Sequence, residues 1–86
     1  MRYSTRSEEY QRLQTWLRKA RQDTGLTQFE LAEKLGRPQS FVAKIESGER
    51  RVDIFEFVQI CEALGLNPNE ALMAIINKEI DSRFRR

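Results

Sequence analysis

The stretch from Thr27 to Gly48, TQFELAEKLGRPQSFVAKIESG, decides the fold of this chain. Its apolar residues recur at helical spacing on both sides of Gly36, which indicates two short amphipathic helices rather than one long one. Small or apolar residues occupy the positions at which two helices joined by a tight turn must touch: Ala32, Gly36, Val42 and Ile45. The stretch therefore predicts a helix-turn-helix unit over residues 27–47.

Both helices of this unit carry signals for their ends. Thr27 and Glu30 have the T-x-x-E spacing of a capping box at the start of the first helix. Gly36 ends that helix, because a residue without a Cβ atom accepts the backbone angles of the turn. The second helix is predicted over residues 38–47, with Pro38 in its first turn because the fixed φ of proline suits that position.

The second helix of the unit has a predicted outward face. With Val42 and Ile45 directed at the core, this face comprises Gln39, Ser40, Ala43 and Lys44, and the bulky Phe41 is expected to point outward beside them. Most of these residues are polar, and they lie towards the N-terminal end of the helix. They are the first candidates for a functional surface.

Three further helices are predicted around the unit. The first starts at Ser7, carries an apolar stripe at helical spacing and ends at Gly25. A fourth begins after Asp53, where Glu56 completes a second capping box, and its predicted inward face is Ile54, Phe57, Val58, Cys61 and Leu64. The fifth follows Asn67 and Pro68, reaches residue 82, and carries Ala71, Leu72, Ile75, Ile76 and Ile80.

The chain is predicted to be one all-α domain, a compact bundle of about five helices. Its 86 residues leave room for a single small core. Residues 1–6 are polar and without pattern, so we expect a flexible arm there. The net charge is only +2, but the basic residues concentrate near the two ends and in the Arg50–Arg51 pair.

Enzymatic chemistry finds little support in the composition. The chain has no histidine and one cysteine, Cys61, which lies among apolar residues and is predicted to be buried. We therefore expect no catalytic site, no metal site and no cofactor. No apolar run has the length of a membrane span, so we expect no membrane contact and a cytoplasmic location.

The sequence resembles the Cro/repressor-type helix-turn-helix family of bacteria and phages, also called the XRE type. The resemblance runs from Leu17 to Pro68 and rests on the LTQ start, the LA pair, the LG turn, the IESG end and the ALGLNP end at family spacing. It implies a lambda-repressor-like fold whose members bind specific sequences of double-stranded DNA, usually as dimers on palindromic operators. The expected function is transcription regulation, with the second helix of the unit in the major groove.

The resemblance also implies roles for individual residues. Gln39, Ser40 and Lys44 match base-reading positions, and Phe41 beside them is expected to press a thymine methyl group or a sugar. Gln39 suits adenine N6 and N7, and Lys44 suits guanine O6 and N7. Phosphate contacts are expected from Gln28, Arg37, Ser47, Arg50 and Arg51. Arg21 and Glu46 match a salt bridge of the family, which we expect to be partly exposed and to orient the helices.

The fifth helix carries more apolar residues than one small core needs. One interpretation is that it only packs on the fourth helix. The interpretation we favour is a homodimer interface over residues 68–82, formed by Leu72, Ile75, Ile76 and Ile80. An alternative function is an antitoxin, in which the fifth helix and the Arg83–Arg86 tail hold a toxin and DNA binding serves autoregulation.

Overall fold

The computed structural model describes residues 7–77. This part of the chain forms five α-helices without a strand, in the order α1 (Glu8–Asp23), α2 (Gln28–Leu35), α3 (Gln39–Ser47), α4 (Ile54–Ala63) and α5 (Pro68–Ile76). The predicted all-α class is confirmed. The arm over residues 1–6, the continuation of the last helix to residue 82 with Ile80, and the Arg83–Arg86 tail lie outside the described residues. Within residues 7–77 no helix is long and apolar enough to cross a membrane.

Local side-chain hydrogen bonds mark the starts of four helices. Thr27 Oγ1 accepts from the Glu30 N–H at 3.0 Å, and Glu30 Oε1 accepts from the Thr27 N–H at 2.9 Å. Asp53 and Glu56 form the second predicted capping box in the same way. Side chains also cap α1 and α5, from Ser7 and Asn67. The start of α3 differs from the prediction, because Pro38 precedes the first turn and has no side chain that can cap it.

The turn between α2 and α3 depends on Gly36. Its φ of 68° lies in the left-handed region, which side chains with a Cβ rarely adopt. The next residue, Arg37, returns its N–H to the carbonyl of Ala32 at 3.0 Å, so the end of α2 is closed by backbone hydrogen bonds. As a result α3 begins only a few residues after α2 ends and crosses it closely.

The core lies where all five helices meet. α3 packs on α1 and α2, while α5 packs on α1 and α4. Trp16 is almost completely buried at the centre, with its ring centroid 5.6 Å from that of Phe57. Each helix contributes buried apolar side chains, among them Leu17, Leu31, Val42, Ile45, Ile60, Cys61 and Ala71. The core is thus continuous, and only one face of α3 packs against it.

The predicted inward face of α4 is correct in part. Phe57, Cys61 and Leu64 are buried, whereas Ile54 is 64% exposed. Ile54 is the first residue of α4 and follows the exposed Asp53, so this first turn extends beyond the core. Burial raises the pKa of the Cys61 thiol to about 12, which agrees with the predicted core role of this residue.

Candidate nucleic-acid interface

The outer face of α3 is polar. Gln39, Ser40 and Lys44 are exposed, while Val42 and Ile45 on the opposite side are buried. This placement agrees with the prediction for these three polar residues. Hydrogen-bonding groups of three kinds, an amide, a hydroxyl and an ammonium, are therefore exposed along one face of a helix whose opposite face is buried.

Phe41 does not belong to this outer face. It is only 7% exposed, so the expectation that it points outward is wrong. The buried stripe of α3 consists of residues 41, 42, 45 and 46, a spacing that places Phe41 directly above Ile45. The guanidinium groups of Arg37 and Arg50 lie over the ring at 4.3 Å and 4.7 Å from its centroid and cover it from solvent.

Arg21 and Glu46 form the expected ion pair, but in a buried setting. Arg21 Nε donates to Glu46 Oε2 at 2.7 Å and Arg21 Nη2 donates to Oε1 at 3.1 Å. Glu46 is 3% exposed, so the expectation of a partly exposed pair is wrong. Burial by itself raises the pKa of Glu46, but the hydrogen bonds from Arg21 and Gln28 and the charges of Arg21 and Arg18 outweigh it and hold the pKa below its usual value.

The first residues of α2 and α3 are linked to this buried carboxylate. Gln28 Nε2 donates to Glu46 Oε1 at 3.0 Å, and Gln39 Nε2 donates to Gln28 Oε1 at 3.2 Å. The sequence predicts separate contacts for the two glutamines, and this connection between them was not predicted. The sequence contains one indication of it, because Gln28 and Gln39 are each the first residue of a helix in the same helix-turn-helix unit. The arrangement sets the outward Gln39 at the end of a hydrogen-bonded series that starts inside the domain.

Glu56 is a second carboxylate at this surface, and it binds two of the residues that are predicted to contact phosphate. The sequence predicts Glu56 only as a helix cap. Arg50 donates to both of its oxygens at 3.0 Å and 3.1 Å, and Arg37 Nη2 donates to Oε2 at 3.2 Å. The hydrogen bonds from Arg50 are the main reason that the pKa of Glu56 falls to about 2, although burial opposes the shift. The Arg50 side chain is thus bound to Glu56 while 37% of it stays exposed, and its phosphate contact remains a prediction.

Two further predicted phosphate contacts are Ser47, the last residue of α3, and Arg51, on the loop that follows it. Arg51 and Ser47 are exposed, and the Ser47 hydroxyl is within hydrogen-bonding distance of Glu49 Oε2, at 3.1 Å. Tyr10 fixes the far end of this loop, because its hydroxyl accepts from the Val52 N–H. The structure thus places Ser47 at the end of α3 and Arg51 on a loop that is anchored to α1 through Tyr10.

The predicted interface of α5 divides into two sides. Leu72 and Ile76 are exposed, together with Met73, which supplies apolar surface as well. Ile75 is only 7% exposed, so its assignment to an interface is wrong. It belongs to the core face of α5 with Ala71 and Ala74, since residues three and four apart share one side of a helix.

Comparison with known proteins settles the family. A family model described as helix-turn-helix matches residues 17–70, which is most of the chain. The chain belongs to the helix-turn-helix family. The match contains the whole α2–turn–α3 unit, so membership supports DNA binding and transcription regulation as the function of this helix-turn-helix protein.

Two solved structures resemble this helix-turn-helix chain. An XRE-family like protein from Pseudomonas syringae pv. tomato str. DC3000 is 46% identical, with a TM-score of 0.77, over 81% of this chain and 85% of that one. The clp gene regulator ClgR from C. glutamicum is 27% identical, with a TM-score of 0.74, over 83% of this chain and 91% of that one. The resemblance to the XRE type is therefore confirmed. None of the curated proteins compared with the chain matches it.

Proposed function

We propose that this helix-turn-helix protein regulates transcription by binding as a dimer to a palindromic operator, with α3 in the major groove. The observation that carries this proposal is the exposed set Gln39, Ser40 and Lys44 on the outer face of α3, with Gln39 and Ser40 in its first turn. In this docking geometry, the N-terminal residues of the second helix contact base edges. Gln39 fits adenine and Lys44 fits guanine, each contact discriminating by about 1–3 kcal/mol.

Phosphate groups would be held around this helix. The N-terminus of α2 offers backbone N–H groups beside Gln28, and helix N-termini attract anions. Ser47 at the end of α3 and Arg51 on the following loop are exposed and would supply further contacts. Arg37 is exposed as well, although its Nη2 group donates a hydrogen bond to Glu56. These contacts would set the position of α3 on the duplex without reading sequence.

Dimerisation through α5 would pair two such surfaces. Leu72, Met73 and Ile76 give this helix exposed apolar area on the side away from the core. A symmetric pair suits a palindrome, with the two recognition helices about 34 Å apart, one turn of the duplex. Occupation of an operator by such a dimer would repress a promoter that overlaps it.

The test is selection from random duplexes combined with mass measurement in solution. We expect enrichment of a palindrome, binding that weakens steeply with salt, and the mass of a dimer. Gln39→Ala should relax the preference at one base pair of each half-site and leave the other pairs unchanged. Selection that enriches no sequence would contradict the proposal.

A toxin is the other partner that the exposed side of α5 fits. An antitoxin that regulates its own promoter would bind DNA with α3 and its toxin through Leu72, Met73 and Ile76. The two functions differ in the mass of the species that binds the operator. A homodimer that needs no second protein favours the stand-alone regulator, whereas a neighbouring toxin-like reading frame whose product co-purifies with the chain favours the antitoxin.

A further inference from the structure

The Glu56 carboxylate binds two arginines that come from different segments of the chain. Arg50, on the loop after α3, donates from Nη1 to Oε1 at 3.0 Å and from Nη2 to Oε2 at 3.1 Å. Arg37, in the turn between α2 and α3, donates from Nη2 to the same Oε2 at 3.2 Å. The two guanidinium groups are therefore close neighbours, and a single carboxylate faces two positive charges.

The Arg50 guanidinium keeps one edge for another partner. A guanidinium group has five N–H donors in a fixed planar fork. Arg50 uses two of them on Glu56 and a third, from Nη1, on the Arg51 carbonyl at 2.7 Å. Within residues 7–77 it binds no further acceptor, so Nε–H and the second N–H of Nη2 remain as a parallel pair. This edge is on the side of Glu56 Oε2, the oxygen that Arg37 also contacts.

Arg37 supplies further donors beside this edge. Its hydrogen bond to Glu56 is the only one it makes in the described part of the chain. The Arg37 side chain is 38% exposed, as is 37% of that of Arg50. Both guanidinium groups lie against the Phe41 ring, so a carboxylate and an aromatic ring restrict their movement while part of each stays open to solvent.

We propose that Arg37 and Arg50 together bind one phosphate group, with the free edge of Arg50 as a bidentate fork and Arg37 as the second cation. Parallel N–H groups of arginine match two oxygens of a phosphate. Assigning this phosphate to the DNA backbone rests on the proposed function. Glu56 is a positioning residue, because it orients both arginines without contacting the phosphate. The bound phosphate would connect the turn before α3 to the loop after it.

A duplex with neutralised phosphates tests whether the two arginines share one site. Each phosphate of the selected half-site is replaced in turn by an uncharged methylphosphonate, and affinity is measured for the wild-type protein, Arg37→Met and Arg50→Met. The wild-type protein should lose about tenfold in affinity at the shared phosphate, because charge-assisted hydrogen bonds are lost there. Both variants should lose this sensitivity at the same position. Sensitivity lost at two different positions, or at none, overturns the inference.

Arg50→Lys separates the paired edge from the positive charge. Lysine can still bind Glu56, but its ammonium group is a point charge without a planar fork. The loss of affinity at the shared phosphate should therefore fall from about tenfold to about threefold, since half of the paired contact is missing. Lys34→Met removes a positive charge from the exposed end of α2 and should keep the full wild-type sensitivity. A folded Arg50→Lys protein that also keeps it contradicts the bidentate contact.

Inorganic phosphate distinguishes a free phosphate from DNA as the source of the ligand. The unfolding temperature without DNA is measured in sodium phosphate and in sodium chloride of equal ionic strength. If phosphate raises it, Arg50→Met abolishes the rise and selection yields no duplex, the site stands and the proposed function fails. Coincident methylphosphonate positions for Arg37→Met and Arg50→Met instead assign the phosphate to the DNA backbone.

Discussion

Arg21 Nε lies 2.7 Å from Glu46 Oε2, and this contact joins α1 to the C-terminal half of α3 across the interior of the domain. Both side chains are largely removed from water, so each charge depends on the other for compensation. The position of α3 on the core therefore rests on a buried ion pair as well as on the apolar contacts of Val42 and Ile45.

Replacing Arg21 should destabilise the domain strongly. Arg21→Met leaves the Glu46 carboxylate buried with only the exposed Arg18 nearby, and we expect the free energy of unfolding to fall by about 3–5 kcal/mol. Lys19→Met removes the exposed pair with Asp23 on the same helix and should cost less than about 1 kcal/mol. Urea unfolding measures both, and equal losses for the two variants would contradict the buried role of Arg21.

Glu56 should make stability depend on pH in the acid range. Its pKa falls from 4.5 to about 2 on folding, so its contribution is complete above pH 4.5 and is lost as the pH decreases towards 2. In this interval the free energy of unfolding should drop by up to about 1.4 kcal/mol per pH unit on account of this group. Glu56→Gln removes that dependence. Denaturant unfolding at several pH values tests it, and parallel curves for both proteins would refute it.

Substitution of Arg50 should lower stability, whereas substitution of Arg51 should change DNA binding with little effect on stability. Arg50→Ala removes two hydrogen bonds to Glu56 and the cover over Phe41, and we expect a loss of about 1–2 kcal/mol in unfolding free energy. Arg51→Ala should change stability by less than about 0.5 kcal/mol. If Arg51 contacts a phosphate, its removal lowers the slope of log affinity against log salt by about 0.9 per contact. An unchanged slope would remove Arg51 from the interface.

Substitutions of two neighbouring isoleucines of α5 should affect different properties, the oligomeric state for Ile76 and the stability for Ile75. Ile76 is exposed, so Ile76→Glu should convert the proposed dimer to a monomer while the domain stays folded. Ile75 is buried, so Ile75→Ala should lower the free energy of unfolding by about 2–5 kcal/mol. Light scattering reports the mass and circular dichroism the fold. A folded Ile76→Glu protein with unchanged mass would place any dimer interface elsewhere.

Substitution of Phe41 tests whether its ring is buried in the domain, as the structure shows. Phe41→Ala removes a buried ring between α3 and two guanidinium groups, and should cost about 3–5 kcal/mol of unfolding free energy. A residue that only touched a thymine methyl group would instead alter DNA affinity and leave stability unchanged. Thermal unfolding without DNA distinguishes the two roles.

The parts of the fold that depend on local sequence were predicted well. The capping boxes at Thr27 and Asp53 lie within four residues of chain, and their partners are found where the spacing placed them. The tight turn at Gly36 likewise follows from the backbone angles that glycine permits. These features need no knowledge of which helices meet.

The errors arise where helices meet in space. Phe41 is expected to point outward and Ile75 to lie in an interface, but both are buried. In helices of nine residues, the spacing of apolar residues does not show how wide the buried face is. The setting of Glu46 depends on how closely α1 and the start of α2 approach α3, which sequence spacing does not reveal. Glu56 is predicted as a cap, but its contacts with Arg50 and Arg37 arise because the loop after α3 and the turn between α2 and α3 both approach the start of α4.

The buried thiol of Cys61 has a practical consequence for labelling. With a pKa of about 12, Cys61 forms roughly three orders of magnitude less thiolate at neutral pH than an ordinary cysteine, and reagents reach it poorly. A cysteine introduced at the exposed Gln59 would therefore react with a maleimide dye selectively, without replacement of the native residue. Energy transfer between two such dyes would then follow the pairing of chains on DNA in real time.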